Sequence, residues 1–132
     1  CYDCAMTELP DTPDPLRLKV GIVLTRRFTI CAFANFVGVL RLAADEGDRS
    51  RPILCRWRVL SHDINAIESS SGLSVQPDEK LGDPARFDYI VVVGGLMEEL
   101  ERVPPEATEF LRRAARANVP LVGVCTGAFV LH

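Results

Sequence analysis

The run YIVVVGGL, residues 89 to 96, restricts what this chain can fold into more than any other stretch. Ile90, Val91, Val92 and Val93 are consecutive and branched at Cβ, so a strand made from them presents apolar side chains on both faces. Only a sheet covered on both sides buries such a strand. The run therefore predicts a central parallel strand, and the Gly94–Gly95 pair marks its end.

The flanking sequence supplies partners for that strand. LKVGIVL, residues 18 to 24, is a short apolar run of strand type, and FTICAFANFVGVLRLAADEG after it is long enough for a mostly buried helix closed by a glycine. In LCRWRVLS, residues 54 to 61, Cys55, Trp57 and Val59 alternate with Arg56 and Arg58, which suits a strand nearer the sheet edge. AIESSSGLSVQPD reads as a small hairpin or irregular excursion around Gly72. After Pro104 and Pro105, EATEFLRRAARAN places Ala107, Phe110, Leu111 and Ala114 on one stripe. Glu106 and Glu109 come early in it and Arg112, Arg113 and Arg116 late, so its charges complement the dipole of an amphipathic helix. VPLVGV is a further buried strand, and Cys125 begins the turn into a last helix. Strands at 18–24, 54–60, 88–93 and 119–124, alternating with helices at about 28–45 and 105–117, predict an α/β fold with a mainly parallel sheet.

Composition bounds the rest. A chain of 132 residues with 48% hydrophobic content has the size and apolar share of one domain, placed here at 17–132. Residues 1–16 read as a flexible lead-in, because Pro10, Pro13 and Pro15 crowd a polar stretch without periodicity. Cys1 and Cys4 form a CxxC there, but no second ligand pair or strand-to-helix context accompanies it, so neither a metal nor a cofactor is expected. The net charge of −3 and the lack of a Lys/Arg-rich block argue against nucleic-acid binding by this segment alone. The apolar runs fall well short of the roughly 20 residues a membrane helix needs, and no leader is evident, so a soluble, cytoplasmic protein without membrane partners is expected. Five cysteines, an odd count, fit free thiols, with Cys31 and Cys55 inside the core.

Cys125 stands in GVCTG, between a buried strand and a helix start, with glycine two positions to either side. That is the arrangement of a nucleophile elbow, where a strained turn demands small neighbours. A helix start behind the thiol favours anions, so Cys125 should react faster than an ordinary buried cysteine. The alternative is a buried cysteine beside a tight strand-to-helix turn.

GVCTGAFVL, YIVVVGGL and FTICAFANFVGVLRLA together resemble the ThiJ/PfpI superfamily of class I glutamine-amidotransferase-like folds, and within it the N-terminal domain of AraC-type transcription regulators. The resemblance spans residues 18 to 132. It implies a flavodoxin-like three-layer sandwich with Cys125 at the elbow and the backbone of Gly94, Gly95 and Leu96 facing it across a pocket. It also implies helix-turn-helix units further along a full-length relative, and helices and strands that continue the domain beyond residue 132, so that the chain reads as truncated there.

Three departures from the enzymes of that superfamily matter, the early ending after residue 132 being one of them. Their acidic side chain on the first helix is matched here by Ala32. The histidine that follows the cysteine in peptidase-like members is replaced by Thr126, which cannot act as a base near neutral pH. His132, about 10 Å further along the same helix at 1.5 Å per residue, is too far to orient the thiol. His62 follows the second strand, so it is either a pocket-lining residue at the carboxyl edge or a plain loop histidine.

The expected ligand-binding residues are thus Cys125, Thr126, Gly94, Gly95, Leu96 and His62, with Cys125 catalytic only if the protein is an enzyme. Two functions stay open. One is a ligand-sensing and dimerisation domain of an AraC-type regulator, without catalysis, taking a small-molecule effector and reaching DNA only through units outside this chain. The other is a cysteine-dependent hydrolase, hydratase or glyoxalase-like enzyme.

Overall fold

The structure, a computed structural model, describes residues 18–44, 54–96 and 102–131. The lead-in expected at 1–16, with its Cys1–Cys4 pair, and His132 lie outside the described residues. In chain order the elements are β1 (Leu18–Leu24), α1 (Ile30–Ala44), β2 (Cys55–Ser61), β3 (Ile67–Glu68), β4 (Ser74–Val75), β5 (Glu79–Lys80), β6 (Tyr89–Val93), α2 (Pro105–Arg116), β7 (Leu121–Val124) and α3 (Gly127–Leu131).

β6 explains the architecture. Its Ile90, Val91, Val92 and Val93 are each no more than 1% exposed, and burying each side chain contributes about 1.5–3 kcal/mol. Val91 and Val93 join Val20, Ile22, Cys55 and Val59 on one face of the sheet, under Phe33, Phe36 and Leu40 of α1. Ile90 and Val92 join Val23 and Leu60 on the other, under Phe110, Leu111 and Ala114 of α2 and against Val130 and Leu131 of α3. The result is three layers. The sheet order is β5-β2-β1-β6-β7, and every neighbouring pair in it is parallel. The expected hairpin around Gly72 is the antiparallel pair β3–β4, with Gly72 at φ 86° in the turn.

α2 buries Ala107, Phe110, Leu111 and Ala114, the four residues of its predicted stripe. Pro105 opens it, where a missing N–H costs nothing. Asn118 ends it in the left-handed region at φ 60°, letting Val119 N–H donate to the Ala114 carbonyl at 2.9 Å.

Three expectations need correction. α1 is not mostly buried: only Leu40 and Ala44 are fully covered, while Val39 and Leu42 are 64% and 62% exposed. The helix lays one face on the sheet, and no described element covers its equally apolar back. Cys31 lies on that back and is exposed rather than in the core. β7 reads as buried from its residues, but it is an edge strand among the described residues and leaves Val122 39% exposed.

Candidate functional site

β7 delivers Cys125 into a turn that L-residues avoid. Its φ is 57°, a left-handed conformation that costs a non-glycine residue about 1–2 kcal/mol and persists only where the surroundings enforce it. Here they are tight. A Cβ on Gly127 would sit 2.0 Å from the Val92 carbonyl oxygen, and one on Gly94 would sit 2.3 Å from the Gly127 nitrogen. Glycine at both positions lets α3 start directly against the end of β6. The Thr126 hydroxyl donates to the Gly95 carbonyl at 2.9 Å, which ties the elbow to the loop after β6.

The β1–α1 loop closes over the same place. Thr29 N–H donates to the Gly94 carbonyl at 3.0 Å and Leu96 N–H to the Arg27 carbonyl at 3.3 Å. The Thr29 hydroxyl lies 3.5 Å from Cys125 Sγ. Five of the six expected residues, Cys125, Thr126, Gly94, Gly95 and Leu96, therefore meet around residues 27–29. Thr29 is not among the expected residues, although its place as the last one before α1 is a visible signal. Ala32, the position matched to the enzymes' acid, packs half-buried against the core.

His62 goes elsewhere. It lines a cavity of about 460 Å³ at the carboxyl ends of β1 and β2, together with Arg26, Ser61 and Asp63 on one side and Ala107 of α2 on the other. Neither Cys125 nor Gly94, Gly95, Leu96 or Thr126 lines it. The cavity lies beside the point where the chain, having placed β2 on one flank of β1, places β6 on the other. Open parallel sheets bind ligands at such points. His62 Nε2 lies 3.1 Å from Asp63 Oδ2.

The three described cysteines should differ in reactivity. Cys31 and Cys125 are exposed and Cys55 is buried. Burial, with the Asp88 carboxylate adding to it, pushes the Cys55 thiol above its ordinary pKa. Iodoacetamide at neutral pH, read by peptide mapping, is expected to modify Cys31 and Cys125 at least about tenfold faster than Cys55. Equal rates for Cys55 and Cys125 would remove the exposed elbow.

Comparison with known proteins adds the following. The DJ-1/PfpI family profile matches residues 52–132. The HTH-type transcriptional regulator CdhR of Pseudomonas aeruginosa is 36% identical over 104 residues, which cover 79% of this chain and 30% of that protein. The HTH-type transcriptional regulator GbdR of the same organism is 33% identical over 113 residues, 86% of this chain and again 30% of that protein. The chain thus spans about a third of the length of these curated relatives. A crystal structure of an AraC family transcriptional regulator from Pseudomonas putida superposes with a TM-score of 0.64 at 24% identity, covering 86% of this chain and 59% of that one.

Proposed function

Since this chain belongs to the DJ-1/PfpI family, we propose that it is the ligand-sensing and dimerisation part of an AraC-type transcription regulator, and that it neither catalyses a reaction nor holds DNA by itself. The observation that carries this reading is the identity of 33–36% with regulators of the helix-turn-helix type over most of the chain.

The elbow supports it chemically. Catalysis by a cysteine needs a group to accept and return a proton, an effect worth a factor of about 100 to 10,000. The described neighbour of the Cys125 thiol is the Thr29 hydroxyl, and Thr126 is committed to the Gly95 carbonyl. Neither hydroxyl serves as a base near neutral pH. What the elbow provides instead is rigidity at the carboxyl edge.

Regulators with helix-turn-helix units bind paired half-sites, and two-fold protein symmetry matches such DNA. The exposed back of α1, with Val39 and Leu42, suits contact with a second copy of the chain. A ligand at the carboxyl edge then acts by favouring one arrangement of the two copies, so that the DNA-binding units are repositioned.

The test compares the intact protein with the isolated segment. The intact protein is expected to bind its operator as a dimer, with affinity that falls steeply as salt rises, and the segment is expected to show no such binding. Turnover of amide, isonitrile or dicarbonyl substrates that disappears in Cys125→Ser would overturn the proposal in favour of an enzyme.

A further inference from the structure

The cavity at the ends of β1 and β2 contains polar groups in two different conditions. Its carboxylates are already engaged. Asp63 accepts from Asn65 N–H at 2.9 Å and from Asn65 Nδ2 at 3.2 Å, and it has His62 Nε2 at 3.1 Å. Glu68 accepts from Arg27 Nη1 at 3.1 Å. By contrast, the Arg26 guanidinium has no partner among the described residues, although it lines the cavity. The Ser61 hydroxyl has none among them either, and Ser61 is only 8% exposed. A buried hydroxyl without a partner costs free energy, and native structures keep few of them without a reason.

The uncommitted groups are therefore a cation and a buried hydroxyl, and the other walls include apolar Val23, Leu60 and Ala107. A guanidinium fork matches the two oxygens of a carboxylate, and the hydroxyl adds a further donor. The cavity lining sets Asp63 and Glu68 beside Arg26 and Arg102, a near balance of charge that favours a singly charged anion over a phosphate dianion. The volume of about 460 Å³ falls within the range of small-molecule sites.

We propose that this cavity, and not the Cys125 elbow, is the effector site, and that its ligand is a small monocarboxylate held by Arg26 and Ser61 with its apolar part against Val23, Leu60 and Ala107. The inference rests on the reading of the chain as a sensing domain and assigns that domain's ligand class. It separates the rigid elbow from the recognition site, and it gives His62 the task of positioning Asp63 at the cavity wall.

Calorimetry on the intact protein tests it. The probes are small monocarboxylates spanning acetate to benzoate in size, with hydroxy- and amino-substituted members, each paired with its uncharged primary amide. At least one acid is expected to bind and its amide not to. Arg26→Gln should weaken that acid roughly ten- to hundredfold and Ser61→Ala about three- to tenfold. Arg112→Gln, on the outer face of α2, controls for lost positive charge and should change nothing. Arg26 is exposed on a loop, so Arg26→Gln should fold, which circular dichroism checks. The proposal is overturned if no acid binds, if acid and amide bind alike, or if affinity survives Arg26→Gln but is lost in Cys125→Ser. None of these readings uses DNA, so failure of the regulator assignment shows separately, as absent operator binding with the carboxylate site intact.

Discussion

Phe110→Ala is expected to lower the stability of the chain by about 3–5 kcal/mol, read as a fall in denaturant midpoint at unchanged slope. Phe110 is fully buried in the cluster that contains Val23, Leu60, Ile90 and Val92. The Arg113 guanidinium also lies 5.9 Å from its ring centre. Truncation leaves a cavity between α2 and β6 that the close-packed branched residues of β6 cannot fill by shifting. Against a typical total of about 5–15 kcal/mol, that loss is large. Leu42→Ala supplies the contrast. Leu42 is equally apolar but 62% exposed, and its truncation should stay within about 0.5 kcal/mol in the monomer. Similar losses for the two variants would contradict the layer assignment.

The second large effect is expected at the elbow. Gly127→Ala should cost about 3 kcal/mol, near the top of the usual range for overpacking. The added Cβ would lie 2.0 Å from the Val92 carbonyl oxygen and 2.8 Å from its carbon. Both are backbone atoms of a central strand, so α3 has to move rather than a side chain. Cys125→Gly should go the other way. Its φ of 57° is free of penalty for glycine, so the variant should be as stable as the parent or up to about 1 kcal/mol more stable. Unfolding curves for the two variants decide the matter, and a Gly127→Ala protein as stable as its parent would mean that the turn is not tight.

Much of the fold is legible in the residue order alone, because its determinants are local. Branched residues in succession at 90–93 demand a strand buried on both faces, and the stripe Ala107, Phe110, Leu111 and Ala114 repeats at helical spacing. Both signals depend only on the geometry of one element. The elbow is legible for the same reason, since GVCTG places small residues around a single turn, and the left-handed φ of Cys125 agrees with it. The sequence also shows Thr29 and Arg26 flanking the end of β1, but it gives them no partners.

The remainder belongs to the tertiary structure. α1 is apolar on two sides, and its sequence alone does not say which side meets a sheet, so Cys31 reads as a core residue although it lies outside. Leu121 to Val124 read as buried because short apolar runs of strand type usually are, but sheet order leaves β7 at an edge among the described residues. The site shows the same division. His62 and Cys125 both follow strands at the carboxyl edge, which groups them in sequence, and strand order separates them into a cavity and an elbow. Residue spacing along the chain determined which segments become strands and helices. The order of strands in the sheet, set by packing between residues far apart in sequence, decided which loops meet: Thr29 reaches Cys125 across 96 positions, and Arg26 and Ser61 come to share one cavity.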